Sequence, residues 1–97
     1  MLTGKQKRFL RKEAHHLKPV FQVGKQAVNE NLINQVADYL EKNELIKVNI
    51  LQNCGEDKHE VAEQLTEATE ALLVQIIGNN IVLYKPSIEY KTIQLPN

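Results

Sequence analysis

The ten residues Val20-Phe21-Gln22-Val23-Gly24-Lys25-Gln26-Ala27-Val28-Asn29 narrow the possible folds more than any other stretch of this chain. Valine and phenylalanine favour a pleated strand, and Pro19 just before them ends any preceding helix. Gly24 permits a backbone conformation or a close approach that a side chain would block. Asn29 is a good N-cap for a helix running from Glu30. A strand, a tight turn and a helix start in this order aim free N–H groups at whatever sits over the turn, and such groups attract anions. Lys25 adds a full positive charge at the same spot. A phosphate-contacting loop is expected, beside the plainer alternative of a simple strand-to-helix connection.

The flanking sequence extends this pattern. Thr3-Gly4-Lys5-Gln6 fits a capping box, so a first helix should run from Thr3 to about His16, with Leu10, Ala14 and Leu17 as its buried stripe and Phe9 alongside. The helix after Asn29 carries Leu32, Ile33, Val36, Ala37 and Leu40 at helical spacing, and Asn43 is a plausible left-handed C-cap. Leu45 to Leu51 alternates, with Ile46, Val48 and Ile50 on one face and Lys47 and Asn49 on the other. A third helix is expected over about Asp57 to Glu70, with Val61, Ala62, Leu65, Ala68 and Leu72 inward and a glutamate-rich outer face. Leu73 to Ile77 and Ile81 to Tyr84 flank Gly78-Asn79-Asn80 and read as a hairpin. The last eleven residues, from Ser87, should be extended, with Ile88, Tyr90, Ile93 and Leu95 packing loosely if at all.

The order α-β-α-β-α-β-β defines an α/β fold with a four-stranded mixed sheet. Polar residues recur on one sheet face (Gln22, Lys47, Asn49, Gln75), which favours a two-layer sandwich with the second and third helices on the same side. The docking site of the first helix stays open. All 97 residues fit one domain, and a monomer is expected.

The formal net charge of zero conceals a segregation. Residues 1–25 hold seven cations (Lys5, Lys7, Arg8, Arg11, Lys12, Lys18, Lys25) against Glu13, a net of +6, and the remainder carries −6. Five of these cations lie within eight positions of the first helix with no acid among them, where they repel one another. Such a block points to a polyanionic partner. Lys58, amid the acids of the third helix, is expected to be exposed and away from that surface.

Other chemistries find little support. Adjacent histidines His15 and His16 point about 100 degrees apart on a helix and rarely share an ion. Cys54 and His59 form no recognised ligand set, and Cys54 lacks a predictable base. The sequence has no phosphate-binding Walker loop and no dinucleotide fingerprint. Neither an enzyme, a metal, a cofactor nor a small-molecule substrate is expected. No apolar run approaches the roughly 20 residues of a membrane span, and the one cysteine cannot form an internal disulfide, so a cytoplasmic protein is expected. Five aromatics, three of them partly committed to packing, make a base-stacking platform improbable, so recognition should lean on shape and backbone.

The chain resembles the CRM domain family, the YhbY-like RNA-binding proteins. The similarity runs through Leu2-Thr3-Gly4-Lys5-Gln6-Lys7, Leu17-Lys18-Pro19-Val20, the Gly24 loop, Glu44-Leu45-Ile46-Lys47-Val48, Val74-Gln75-Ile76-Ile77-Gly78 and Val82-Leu83-Tyr84-Lys85-Pro86. The resemblance implies a fold similar to the C-terminal domain of bacterial translation initiation factor three. Stand-alone bacterial members of that family are associated with precursors of the large ribosomal subunit, and plant relatives act in organelle intron splicing. Its signature GxxG loop reads here Gly24-Lys25-Gln26-Ala27, with alanine replacing the second glycine, a residue that resists positive φ. Where Lys85 follows Tyr84 the family tends to have arginine, so the charge is kept without the two-pronged geometry.

The expected function is therefore binding of ribosomal RNA in large-subunit precursors. The contacts would come from Gly24, Lys25, Gln26 and Ala27 together with Lys5, Lys7, Arg8, Arg11, Lys12, Lys18 and Lys85. Two other classes stay open: a protein-interaction module docking on a ribosomal protein through the acidic third helix, and a generic nucleic-acid binder acting on DNA.

Overall fold

The computed structural model describes residues 2–97. Its elements run α1 (Gly4–Ala14), β1 (Phe21–Val23), α2 (Glu30–Asn43), β2 (Leu45–Ile50), α3 (Lys58–Thr69), β3 (Leu72–Ile77) and β4 (Asn80–Tyr84). Each helix starts where a side chain takes up an amide that the helix itself cannot satisfy. The Thr3 amide donates to Gln6 Oε1 at 3.0 Å and the Gln6 amide to Thr3 Oγ1 at 3.1 Å, the reciprocal box expected from the sequence. The Leu32 amide donates to Asn29 Oδ1 at 2.8 Å. The His59 amide donates to Asp57 Oδ2 at 3.0 Å, so Asp57 caps α3 and does not begin it.

The four strands form one sheet in the order β1-β2-β4-β3. β1 pairs with β2 in parallel, while β4 is antiparallel to both of its neighbours. The hairpin therefore returns β4 into the gap between β2 and β3. On one face, Val23, Ile46, Val48, Ile50, Ile81 and Leu83 meet Val36 and Leu40 of α2 and Val61 and Leu65 of α3. The second and third helices thus share a side, as the alternation of β2 requires. The opposite face is apolar at one end only. There Leu45, Val74, Val82 and Tyr84 are covered by Leu10 and Ala14 of α1, with Phe9, Ile93 and Leu95 around them. The other end of that face keeps its polar row and carries no helix core. Burial of Leu10, which has no exposed surface, contributes about 2 kcal/mol toward holding α1 in place.

Several local expectations are corrected by long-range contacts. Leu17 lies outside the buried stripe and is exposed, because α1 ends at Ala14 and helical spacing no longer applies beyond it. Asn43 stays helical and donates to the Tyr39 carbonyl, and the positive φ of 64° falls on Glu44 instead. In α3 the inward position is Thr69, whose hydroxyl donates to the Leu65 carbonyl at 2.6 Å, while Ala68 is exposed. Leu72 belongs to β3 and packs toward α1. Lys58 is half-buried and donates to the Gly78 carbonyl at 2.8 Å, which ties α3 to the hairpin turn.

The C-terminal segment is held rather than loose. Glu44 has no exposed surface, and its carboxylate accepts from the amides of Ser87 (2.8 Å), Thr92 (2.7 Å) and Ile93 (2.8 Å) and from the Thr92 hydroxyl (3.2 Å). Glu41 accepts from the Ser87 hydroxyl and the amides of Ile88 and Glu89. Burial pushes the Glu44 carboxyl up, but the Ser87, Ile93 and Thr92 donors outweigh it, so the group titrates below the usual carboxylate range. At Glu41 the Glu89 amide, the Ser87 hydroxyl and the Ile88 amide act in the same direction. Ile93 and Leu95 pack against the α1 core, and Gln6 Nε2 donates to the Pro96 carbonyl at 3.1 Å. Ile88 and Tyr90, by contrast, remain largely exposed. No helix among the described residues is long and apolar enough to cross a membrane.

Candidate nucleic-acid interface

The Gly24 loop begins where the sheet ends. Val23 is buried and its carbonyl accepts from the Leu51 amide at 2.9 Å, which draws the 51–53 segment across the end of β1. A Cβ at residue 24 would lie 3.3 Å from Leu51 Cδ1 and 3.4 Å from Asn53 Oδ1. Glycine is favoured here by a tight approach to the Leu51 side chain and not by its backbone angle, since the positive φ falls elsewhere. The Ala27 amide donates to the Gly24 carbonyl at 2.9 Å and closes a four-residue turn. Lys25 and Gln26 form its tip, both exposed.

Ala27 adopts φ 54°, the left-handed conformation that the family's second glycine reaches without cost. An L residue held at this angle is strained by about 1 kcal/mol. Asn29 joins loop to helix. Its Oδ1 caps Leu32, its carbonyl accepts from the Ile33 amide, and its Nδ2 contacts Gln26 Oε1 at 3.4 Å. The first-turn amides of Glu30 and Asn31 are left for solvent or a ligand. Glu30 is an exposed acid in that turn and offsets part of the helix's pull on a phosphate.

Around the tip lies a shallow depression of about 310 Å³. Its polar lining is Lys25 and five carboxamides: Gln22, Gln26, Asn29, Asn31 and Gln35. Sequence reasoning placed Gln26 in the site but missed Asn31 and Gln35. Their spacing of four residues puts them on one flank of α2, beside the apolar stripe, and that spacing was legible.

The basic helix is seated at the Leu45 and Tyr84 end of the sheet, the end opposite Gly24. Lys5, Lys7, Arg8, Arg11 and Lys12 on α1, and Lys18 on the connection to β1, are all exposed. α1 lies on the sheet face that carries Gln22, Lys47 and Asn49, as the strand register shows, whereas the acidic α3 lies on the other face. The fold thus converts a segregation along the sequence into a segregation between faces. Lys85 stands apart from this group. Its Nζ donates to the Thr69 carbonyl at 2.9 Å and caps the C-terminal end of α3, at the end of the sheet opposite Gly24. The family resemblance, with arginine common at this position, put Lys85 among the expected site residues, and in the fold its ammonium is engaged by the helix terminus beside it. Among the described residues no three histidine, cysteine, aspartate or glutamate side chains gather as a metal site.

A mixed four-stranded sheet with two helices on one face, a basic helix on the other and an amide-lined loop at one edge defines a small α/β binding domain. Residues 2–85 match the CRS1 / YhbY (CRM) domain, and the chain belongs to that family, a family of binding domains and not of enzymes. It is 65% identical over 96 residues to "Probable RNA-binding protein YqeI" of Bacillus subtilis, covering 99% of this chain and 100% of the relative. It is 41% identical over 95 residues to a protein of Haemophilus influenzae named "RNA-binding protein", covering 98% and 95%. The solution structure of SAV1595 from Staphylococcus aureus superimposes with a TM-score of 0.82 at 58% identity, covering 99% of this chain and all of the other.

Proposed function

We propose that this chain is an RNA-binding protein that assists assembly of the large ribosomal subunit, acting as a cytoplasmic monomer on structured ribosomal RNA of the precursor particle. The observation that carries the reading is the turn from Gly24 to Ala27, which holds Lys25 and Gln26 exposed above a depression free of acids on its lining. A phosphate bridging Lys25 and the turn would be met by a charge-assisted contact, and the α1 cations would meet phosphates farther along the strand. The shared family and the relatives' RNA-binding names favour RNA over DNA, and the family resemblance favours the large-subunit precursor. Affinity should fall steeply with salt, each neutralised phosphate contributing roughly −0.7 to −0.9 to the slope of log affinity against log salt.

Gel-shift titrations at one fixed salt concentration test the loop. Lys42, exposed in the last turn of α2 at the far end of the sheet, is the charge-matched control, whereas Lys58 is engaged with Gly78 and cannot serve. Lys25→Glu should weaken binding by roughly tenfold or more, the size of one charge-assisted contact. Lys42→Glu should change it by less than about threefold. Arg8→Glu should fall nearer to Lys25→Glu. Equal binding by the Lys25 and Lys42 variants would mean that the Gly24 loop is not the clamp. Crosslinking in cells followed by sequencing should return large-subunit ribosomal RNA, and a different RNA class would refute the assembly role.

A further inference from the structure

The sheet carries a second polar feature that the loop reading does not use. On the face opposite α2 and α3, the strand register aligns Gln22 of β1, Asn49 of β2, Asn80 of β4 and Ile77 of β3 in one row across the sheet. The row lies at the end of the face that the α1 core leaves uncovered. Gln22 and Ile77 are exposed, and Asn49 and Asn80 are half-buried. Three carboxamides on adjacent strands, about 4.8 Å apart, span roughly 10 Å. Asn49 Nδ2 donates to Asn80 Oδ1 at 3.0 Å. That bond uses one donor and one acceptor of the pair and leaves the Asn49 oxygen and the Asn80 NH₂ group available to other partners. Gln22 also lines the loop depression, so the row is continuous with the surface around Lys25. Lys47, in the next row, is the only charged residue on this sheet face among the described strand residues.

We infer that this carboxamide row is a contact surface for the 2′-hydroxyls of an A-form RNA helix, and so supplies the preference for RNA that the cations cannot. Resting on the RNA-binding reading above, the inference adds to it the part of the nucleic acid that is read. Lysine and arginine meet phosphates, which RNA and DNA share. A neutral amide carries both a donor and an acceptor, the complement of a hydroxyl that both donates and accepts. The A-form minor groove is wide and shallow and lined by such hydroxyls, so a short polar sheet face can lie against it. The flanking positive charge of Lys25 and Lys47, with no acid in the row, suits the phosphates on either side of that groove.

The test uses one stem-loop sequence prepared as RNA and with 2′-fluoro in place of every stem 2′-hydroxyl, which keeps the A-form while removing the donor. The parent protein should bind the hydroxyl form roughly tenfold more tightly, the yield of two neutral hydrogen bonds. Gln22→Val combined with Asn49→Val keeps strand-forming residues and should bind the two probes about equally, with an unchanged salt slope. Gln22→Ala alone, at an exposed edge position, serves if the double variant does not fold, and should lower the ratio by about threefold. Lys25→Glu should weaken both probes together and leave their ratio unchanged, which separates failure of the loop reading from failure of this one. Equal binding of both probes by the parent, or a ratio preserved in the carboxamide variants, would overturn the inference.

Discussion

Glu44→Gln is the sharpest probe of how the C-terminal segment is held. The substitution keeps the size of the side chain and removes one acceptor. In the parent, Oε1 accepts from the Thr92 and Ile93 amides and the Thr92 hydroxyl, and Oε2 accepts from the Ser87 amide. A glutamine can keep its oxygen over Thr92 and Ile93 only by turning its NH₂ group toward the Ser87 N–H. That N–H is then buried against another donor, which costs about 1–3 kcal/mol, and the three remaining bonds fall from charged to neutral strength. Burying a neutral amide in place of a carboxylate returns part of this. The net loss should be about 2–3 kcal/mol, a large share of the stability of a domain this size. Urea unfolding near neutral pH measures it directly. Because Glu44 titrates below its ordinary value in the folded protein, its contribution is complete above about pH 4.5 and disappears as pH falls through the lowered value. The variant should lack that component, so its stability should decline less than the parent's below pH 4.5. Protease access to the segment after Pro86 should rise at the same time. A Glu44→Gln protein within about 0.5 kcal/mol of the parent, with the same acid profile, would refute the anchoring of the C-terminal segment by Glu44.

Ala27→Gly should raise stability by about 0.5–1 kcal/mol, since relief of the left-handed alanine exceeds the entropy that glycine adds to the unfolded chain, and RNA affinity should stay the same. Thermal unfolding checks the first part and gel shift the second, and a destabilised variant would show that the turn is not strained at that position. Leu10→Ala should cost about 3 kcal/mol in urea unfolding and weaken RNA binding, because Leu10 and Ala14 are the fully buried residues that seat α1 on the sheet. A stable Leu10→Ala protein with full RNA affinity would mean that α1 needs no such seat.

What the amino-acid sequence determined here is what neighbours along the chain can enforce. Thr3 with Gln6, and Asn29, each act on amides three residues away, so the starts of the first two helices were legible, and that of the third was legible to within one residue of its Asp57 cap. The period of two in β2 and of four in α2 fixed which faces are apolar, and Gly24-Lys25-Gln26 marked the loop. Tertiary structure decided everything that joins distant residues. Nothing within α1 says which sheet face it covers. That depends on Leu45, Val82 and Tyr84 gathering at one end of a face whose other end is polar. Glu44 looks like an ordinary surface acid until residues 87–93, more than forty positions away, bring their donors to it. Lys58 and Lys85 look like free cations until the carbonyls of Gly78 and Thr69 arrive beside them. Ala27 takes a conformation that its own chemistry disfavours, between the turn closed on Gly24 and the helix cap at Asn29. Short-range hydrogen bonds and periodicity are written in the chain, whereas buried partners are supplied only when the chain closes on itself.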